Sequence, residues 1–91
     1  MSVTVRLPGT LRDAVGGETK INATGKTLAD VFADIDRRHP GFRSRVLDDQ
    51  GGIRSYVNVY VGDTDARDSG GLATVVPDGS EVMVIPAMAG G

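Results

Sequence analysis

The stretch of this chain with the most specific chemistry is Gly90-Gly91, a pair without side chains that carries the terminal carboxylate. Lacking Cβ atoms, such a pair threads a narrow channel and lets other groups approach its main chain closely. The carboxylate of Gly91 is therefore expected to be the working group, presented to an active site on another protein. Gly-Gly alone is a weak signal, because there are 13 glycines and further pairs at Gly16-Gly17, Gly51-Gly52 and Gly70-Gly71. Its context strengthens it: a turn sequence at Pro77-Asp78-Gly79, then Glu81 to Ile85, then Pro86. From Ile85 to Gly91 is six residue steps, an extended reach of roughly 20 Å.

Other chemistries fall short on residue type. A zinc site needs several Cys or His ligands, and the chain has no Cys and a single His, His39. That histidine ends a helical pattern, where a cation suits the helix dipole, so capping is the simpler reading. Asp63-Thr64-Asp65-Ala66-Arg67-Asp68 begins like a calcium loop but sets Arg67 at a ligand position and Thr74 where the bidentate Glu belongs. An exposed turn is expected there instead, and no metal site. Nucleophilic catalysis lacks a Cys and a G-x-S-x-G elbow, and neither phosphate-binding glycine pattern is present. Asp30, Asp34 and Arg38 recur at i, i+4 steps and read as the solvated face of a helix. What remains is a terminal carboxylate, a poor electrophile that must be activated, for example by adenylation, before it reacts. The chain is thus expected to be a substrate for a partner's chemistry rather than an enzyme; that it is a carrier is what the resemblance given below implies.

The elements that position this end follow from periodicity. Val3, Val5 and Leu7 alternate with Thr4 and Arg6, the pattern of a strand with one buried face. Pro8-Gly9 interrupts it, Gly16-Gly17 marks a turn, and Glu18 to Ala23 returns as the second arm of a hairpin. Thr27 is placed to cap a helix whose apolar stripe is Leu28, Val31, Phe32 and Ile35 and which Pro40-Gly41 stops. Phe42, Val46 and Leu47 suggest one further turn, and 48–52 a loop. From Ile53 a strand is expected, with Val57, Val59 and Val61 on one face and Tyr56, Asn58 and Tyr60 on the other. Thr64 to Arg67 suggests a short edge strand, and Glu81 to Ile85 the last strand. Several strands with one main helix predict an α+β domain, a mixed sheet of four to five strands covered on one face. The domain is expected over 1–86, with 87–91 a flexible tail.

Composition narrows the setting. A chain of 91 residues buries only about 60 to 65% of its unfolded surface, too little for a deep catalytic cleft of its own. A net charge of −2 and a pI near 5.1 argue against a nucleic-acid partner, whose binding usually calls for a clustered basic surface. No run approaches 18 apolar residues, and the N-terminus lacks a signal-peptide pattern, so a cytoplasmic protein without a membrane partner is expected.

At this point the residues carry a family resemblance. Val57-Asn58-Val59-Tyr60-Val61 with Asp63 and Arg67, Gly71-Leu72-Ala73-Thr74, Asp78-Gly79-x-x-Val82 and Pro86-x-x-x-Gly90-Gly91 resemble the ubiquitin-like sulfur carriers of the ThiS and MoaD type. The similarity is greatest to the CysO branch, which serves cysteine biosynthesis. It implies a β-grasp fold and no bound cofactor. It further implies ATP-dependent adenylation of Gly91 by a ubiquitin-activating-like enzyme, and replacement of AMP by sulfur to give a C-terminal thiocarboxylate. In that branch the sulfur passes to a pyridoxal-phosphate cysteine synthase, and a zinc-dependent peptidase releases the cysteine. Met88 departs from the pattern, standing where a smaller or branched apolar residue is expected. The shared tail leaves other readings open: the small subunit of molybdopterin synthase, a thiamin-type carrier, or a ubiquitin-like protein modifier.

The resemblance assigns Ala87, Met88, Ala89 and Gly90 to threading the tail and Gly91 to carrying the thiocarboxylate. Strand parity places Tyr56 and Tyr60 on an open sheet face, which Met83 and Ile85 extend if Val82 and Val84 point inward. With Arg6 beside it, this face is expected to dock the activating and acceptor enzymes.

Overall fold

A computed structural model describes residues 2–86, and Ala87 to Gly91 lie outside the described residues. Five strands form one sheet: β1 Val3–Arg6, β2 Lys20–Ala23, β3 Val57–Val61, β4 Thr64–Asp65 and β5 Glu81–Pro86, in the order β2-β1-β5-β3-β4. All pairings are antiparallel except that of β1 with β5, where Val5 stands beside Val82 and Arg6 beside Met83. A parallel pair cannot be closed by a tight hairpin and needs a long crossover. Here everything from β2 to β4 is that crossover, including the two helices α1 Leu28–Arg38 and α2 Phe42–Val46.

Alternation decides which sheet face is covered. Val3, Val5, Ile21, Ala23, Val57, Val59, Val61, Val82 and Val84 are buried, and they meet the α1 stripe of Leu28, Val31, Phe32 and Ile35, each wholly buried. Phe42 of α2 sets its ring edge-on to Phe32, with centroids 5.7 Å apart. Thr27 caps α1 as its position predicts, its Oγ1 accepting the Asp30 N–H at 3.3 Å. Asp36, near the end of α1, accepts the N–H groups of Gly41 and Arg43 and so seats the start of α2. The Asp36 carboxyl is held below its ordinary pKa, chiefly by the Arg43 N–H. Gly25 is required by space, since a Cβ there would lie 2.7 Å from the Val31 backbone nitrogen.

Three expectations are corrected by tertiary context, and one element is added. The segment from Ile53 is not yet strand: Asp48 Oδ1 accepts the N–H groups of Gln50 and Gly52, closing a small turn that leaves only a Leu47–Ile53 bridge. β3 therefore starts at Val57, and Tyr56 precedes it in a turn. The proposed edge strand over Thr64 to Arg67 stops at Asp65, whose carboxylate accepts the Arg67 N–H and turns the chain into a 3₁₀ helix over Ala66–Asp68. Leu11 and Val15 lie in a 3₁₀ helix over Gly9–Val15 that plugs one end of the core and lengthens the β1–β2 connection.

The third correction concerns Asp34. Rather than lying on a solvated face, it is only 7% exposed. Its Oδ2 accepts the Thr24 N–H at 3.0 Å and a bond from Arg38, while Oδ1 pairs with Arg37. Arg38 also donates to the Asn22 carbonyl at 2.6 Å, so α1 is bolted to the end of β2. Burial raises the Asp34 pKa, but the Thr24 N–H and the charges of Arg38 and Arg37 outweigh it and leave the carboxyl below its ordinary 3.8. The unfolded chain consequently takes up this proton first as acid is added. The stabilisation is whole above about pH 4 and is lost as pH falls through the folded value. Asp34→Asn, which keeps an acceptor for Thr24 but loses the charge, is expected to cost about 1 to 2 kcal/mol at neutral pH. It should also flatten the fall in stability between about pH 4 and pH 2, as urea denaturation at the two ends of that range would show.

Candidate functional site

The candidate site is the end of the sheet at which β5 finishes. Pro86, the last described residue, stands opposite Val57, the first residue of β3. Arg67 secures that start: its guanidinium donates to the Asn58 side chain at 2.7 Å and to the carbonyls of Arg54 and Val57, both at 2.6 Å. The chain beyond Pro86 thus leaves from a strand end held by the β3 ladder, and β3 is in turn held by one arginine. Sequence reading met Arg67 in the calcium-loop comparison, at the end of an expected edge strand and within the resemblance, but gave it no bracing function. Its bracing function depends on a turn that brings residues nine to thirteen positions away within reach.

Along the open face, strand register brings three of the expected docking residues into one row, Arg6–Met83–Tyr60, with Ile85 beside Asn58 in the adjacent row. Val82 and Val84 are buried, so Met83 and Ile85 take the outward parity, Met83 being 37% exposed. Arg6 is held by Glu81, its Nε donating to Oε2 at 2.6 Å. An exposed pair of this kind adds little stability, but it fixes where the guanidinium points. Tyr56 does not share this row. Being outside β3, it stands 51% exposed against a cleft of about 360 Å³ whose other walls include Pro8, Leu11, Ile85 and Pro86. The Arg54 guanidinium sits 5.9 Å from its ring centroid.

Arg45 also lines this cleft, bonded to the Thr10 carbonyl at 2.7 Å and to Asp13 at 3.2 Å. The bond from Arg45 draws the Asp13 carboxyl below its ordinary pKa, ahead of the smaller effect of burial. No sequence signal marked Arg45 or Thr10, because they meet Tyr56 only when the β1–β2 connection, α2 and β3 converge. The expected tail residues Ala87, Met88, Ala89, Gly90 and Gly91 lie outside the described residues. Among the described residues no group of three or more His, Cys, Asp or Glu is placed to hold a metal ion, and no helix is long and apolar enough to cross a membrane. His39 supplies the backbone cap of α1, its N–H donating to the Ile35 carbonyl at 2.8 Å.

A five-stranded mixed sheet with parallel first and last strands, covered by one helix, is the ubiquitin-like β-grasp. The chain belongs to the ThiS family, which matches residues 5–91. Among relatives, it is 43% identical to the sulfur carrier protein CysO of Mycobacterium tuberculosis over the whole of both chains. The crystal structure of Mycobacterium tuberculosis CysO superposes with a TM-score of 0.91 at 41% identity, covering 94% of this chain and 99% of that one. A chain in the crystal structure of the Amycolatopsis orientalis BexX/CysO complex gives 0.90 at 40% identity, covering 98% and 99%.

Arg67→Ala removes three side-chain bonds at the start of β3 and is expected to destabilise the fold by about 2 to 3 kcal/mol. Arg67→Lys should recover little of that loss, since a compact ammonium lacks the fork that spans the three acceptors. Urea midpoints of the two variants against the parent check both statements.

Proposed function

We propose that this chain is a sulfur carrier whose Gly91 carboxylate is converted to a thiocarboxylate, serving cysteine biosynthesis in the cytoplasm. The observation that carries this reading is the match to the ThiS family through residue 91, together with 43% identity to a full-length sulfur carrier. The chemistry needs little from the chain itself. A Gly91 carboxylate oxygen attacks the α-phosphate of ATP on an adenylating partner, and pyrophosphate departs. A sulfur nucleophile then adds to the acyl carbon of the adenylate, AMP leaves with the electron pair of the broken C–O bond, and an acyl C–S bond remains. The product is a thiocarboxylate, anionic at neutral pH, whose soft sulfur suits transfer to a pyridoxal-phosphate cysteine synthase. Once that sulfur has bonded to the amino-acid acceptor, the acceptor's amine displaces it from the Gly91 acyl carbon, and the amide-linked cysteine so formed is cut from Gly91 by a zinc-dependent peptidase. ATP, pyridoxal phosphate and zinc all belong to partners.

The fold supports this division of labour. The domain to Pro86 offers a stiff strand end, and 87–91, proposed as a flexible tail, ends in two residues without side chains to obstruct a channel. Ala87, Met88 and Ala89 keep that passage apolar. The open face of Arg6, Met83, Tyr60 and Ile85 is proposed to dock the enzymes, with its row geometry giving one contiguous patch.

Incubation with the adenylating enzyme, ATP and sulfide should exchange one oxygen for sulfur, read by intact mass spectrometry. A variant lacking Gly91 should fold normally and show no exchange. Sulfur uptake by that variant would show the mechanism to be wrong. Tyr60→Asp with Ile85→Asp is expected to slow adenylation about tenfold, equal to roughly 1.4 kcal/mol of docking free energy. An unchanged rate in the folded double variant would remove the open face from the docking surface.

A further inference from the structure

The cleft where β5 ends has walls from four separated parts of the chain: Pro8, Thr10, Arg45, Tyr56, Ile85 and Pro86 among them. Its volume of about 360 Å³ is at the small end of the range typical of ligand pockets. Two observations say what should fill it. First, Pro86 is part of its wall, and only residues 87–91 separate that wall from the Gly91 carboxylate. At about 3.4 Å per residue these five span no more than roughly 17 Å. An enzyme that takes Gly91 into its active site therefore holds that site within roughly 17 Å of this cleft, close enough for its surface to reach the cleft mouth. Second, the lining is mixed: Tyr56 offers an exposed aromatic wall, while Arg45 contributes a guanidinium that is itself paired with Asp13. That arrangement suits an apolar anchor ringed by polar contacts, the form in which interface binding energy concentrates.

We propose that the cleft is a second docking point for the adenylating enzyme, taking one bulky apolar side chain of that enzyme while the tail enters its active site. The inference rests on the sulfur-carrier reading for the identity of the partner. It differs from the open-face expectation, because Tyr56 stands outside the Arg6–Met83–Tyr60 row. The cleft and the face share Ile85 as their border, so one partner surface engages both. Its effect falls on association: the contact is made equally before and during the chemical step, and so acts on KM rather than kcat.

Thr10→Trp fills the cleft from an exposed position, and Tyr56→Ala removes its aromatic wall. Both are compared with the parent for adenylation by the host's adenylating enzyme with ATP, after circular dichroism and thermal melting establish that each is folded. The expected result is a KM for this chain raised about tenfold by either change, with kcat within about twofold of the parent. Val75→Ser, at an exposed site away from the cleft, should alter neither constant. Unchanged KM in both folded cleft variants overturns the proposal. So does a lowered KM with Thr10→Trp, which would mean that the cleft holds the chain's own tail. Titration calorimetry of the same enzyme without ATP separates this inference from the reading it rests on. A Kd about tenfold weaker for Thr10→Trp supports the cleft even where the parent gains no sulfur and the carrier reading fails. An equal Kd sinks the cleft even where sulfur uptake succeeds.

Discussion

Val5 beside Val82, in the parallel pairing of β1 with β5, is the contact on which the rest of the structure depends. It joins the two ends of the domain at the centre of the sheet, so β2 and β3 are left to flank it and the intervening chain must cross the sheet to connect them. That crossover is what brings α1 over one face. The pairing is fixed at its start by the turn before β5, where Asp78 accepts the Ser2 N–H at 2.9 Å and Gly79 donates to the Ser2 carbonyl at 3.0 Å. β5 is central rather than peripheral, with ladder partners on both sides, and the segment after it starts from the best-braced strand of the sheet.

From that arrangement two faces acquire different work. The inner face is aliphatic and phenylalanine side chains at close contact, and Asp34, the charged residue buried with them among the described residues, is tolerated because two arginines and a backbone N–H satisfy it. A buried carboxylate without such partners would be costly. Here it substitutes for a strand neighbour, since Asp34 and Arg38 bond the Thr24 N–H and the Asn22 carbonyl along β2. The exposed edge of a sheet is thereby partly covered by the helix that packs on it, a common remedy against unwanted pairing. The outer face keeps its apolar side chains in register and in the open, and at the end where β5 stops it gives way to a cleft.

The chemistry of a carrier places unusual demands on a fold. Under the proposed carrier role, nothing in the described domain has to move a proton or hold a metal, and stability and recognition are what remain for it to supply. Arg67 illustrates how stability serves recognition: by bracing the start of β3 it holds Val57, and through Val57 the strand end at Pro86. The point from which the last five residues depart is set by side chains that are themselves remote from Gly91 in sequence.

Much of this was legible in the sequence. Period-2 alternation in Val3–Leu7 and Val57–Val61 and the stripe Leu28, Val31, Phe32, Ile35 specify strands and a helix, because burial on one face repeats with the backbone's own geometry. The Pro77-Asp78-Gly79 turn and the Gly90-Gly91 end were readable for the same reason, being local. Strand order was not, nor was the burial of Asp34, whose i, i+4 spacing to Arg38 is the same on a solvated face as in a latch. Asp65 and Asp48 ended or postponed strands through side-chain bonds that periodicity does not register. Arg45, Thr10 and Tyr56 came together only through packing of three separate segments. Local pattern by itself determined the main helix and the central stretches of the principal strands, and marked the diglycine end as the stretch expected to carry the chemistry. Tertiary structure alone decided which residues share a row, which charge is buried and where the cleft opens, because those are contacts between residues that no spacing rule connects.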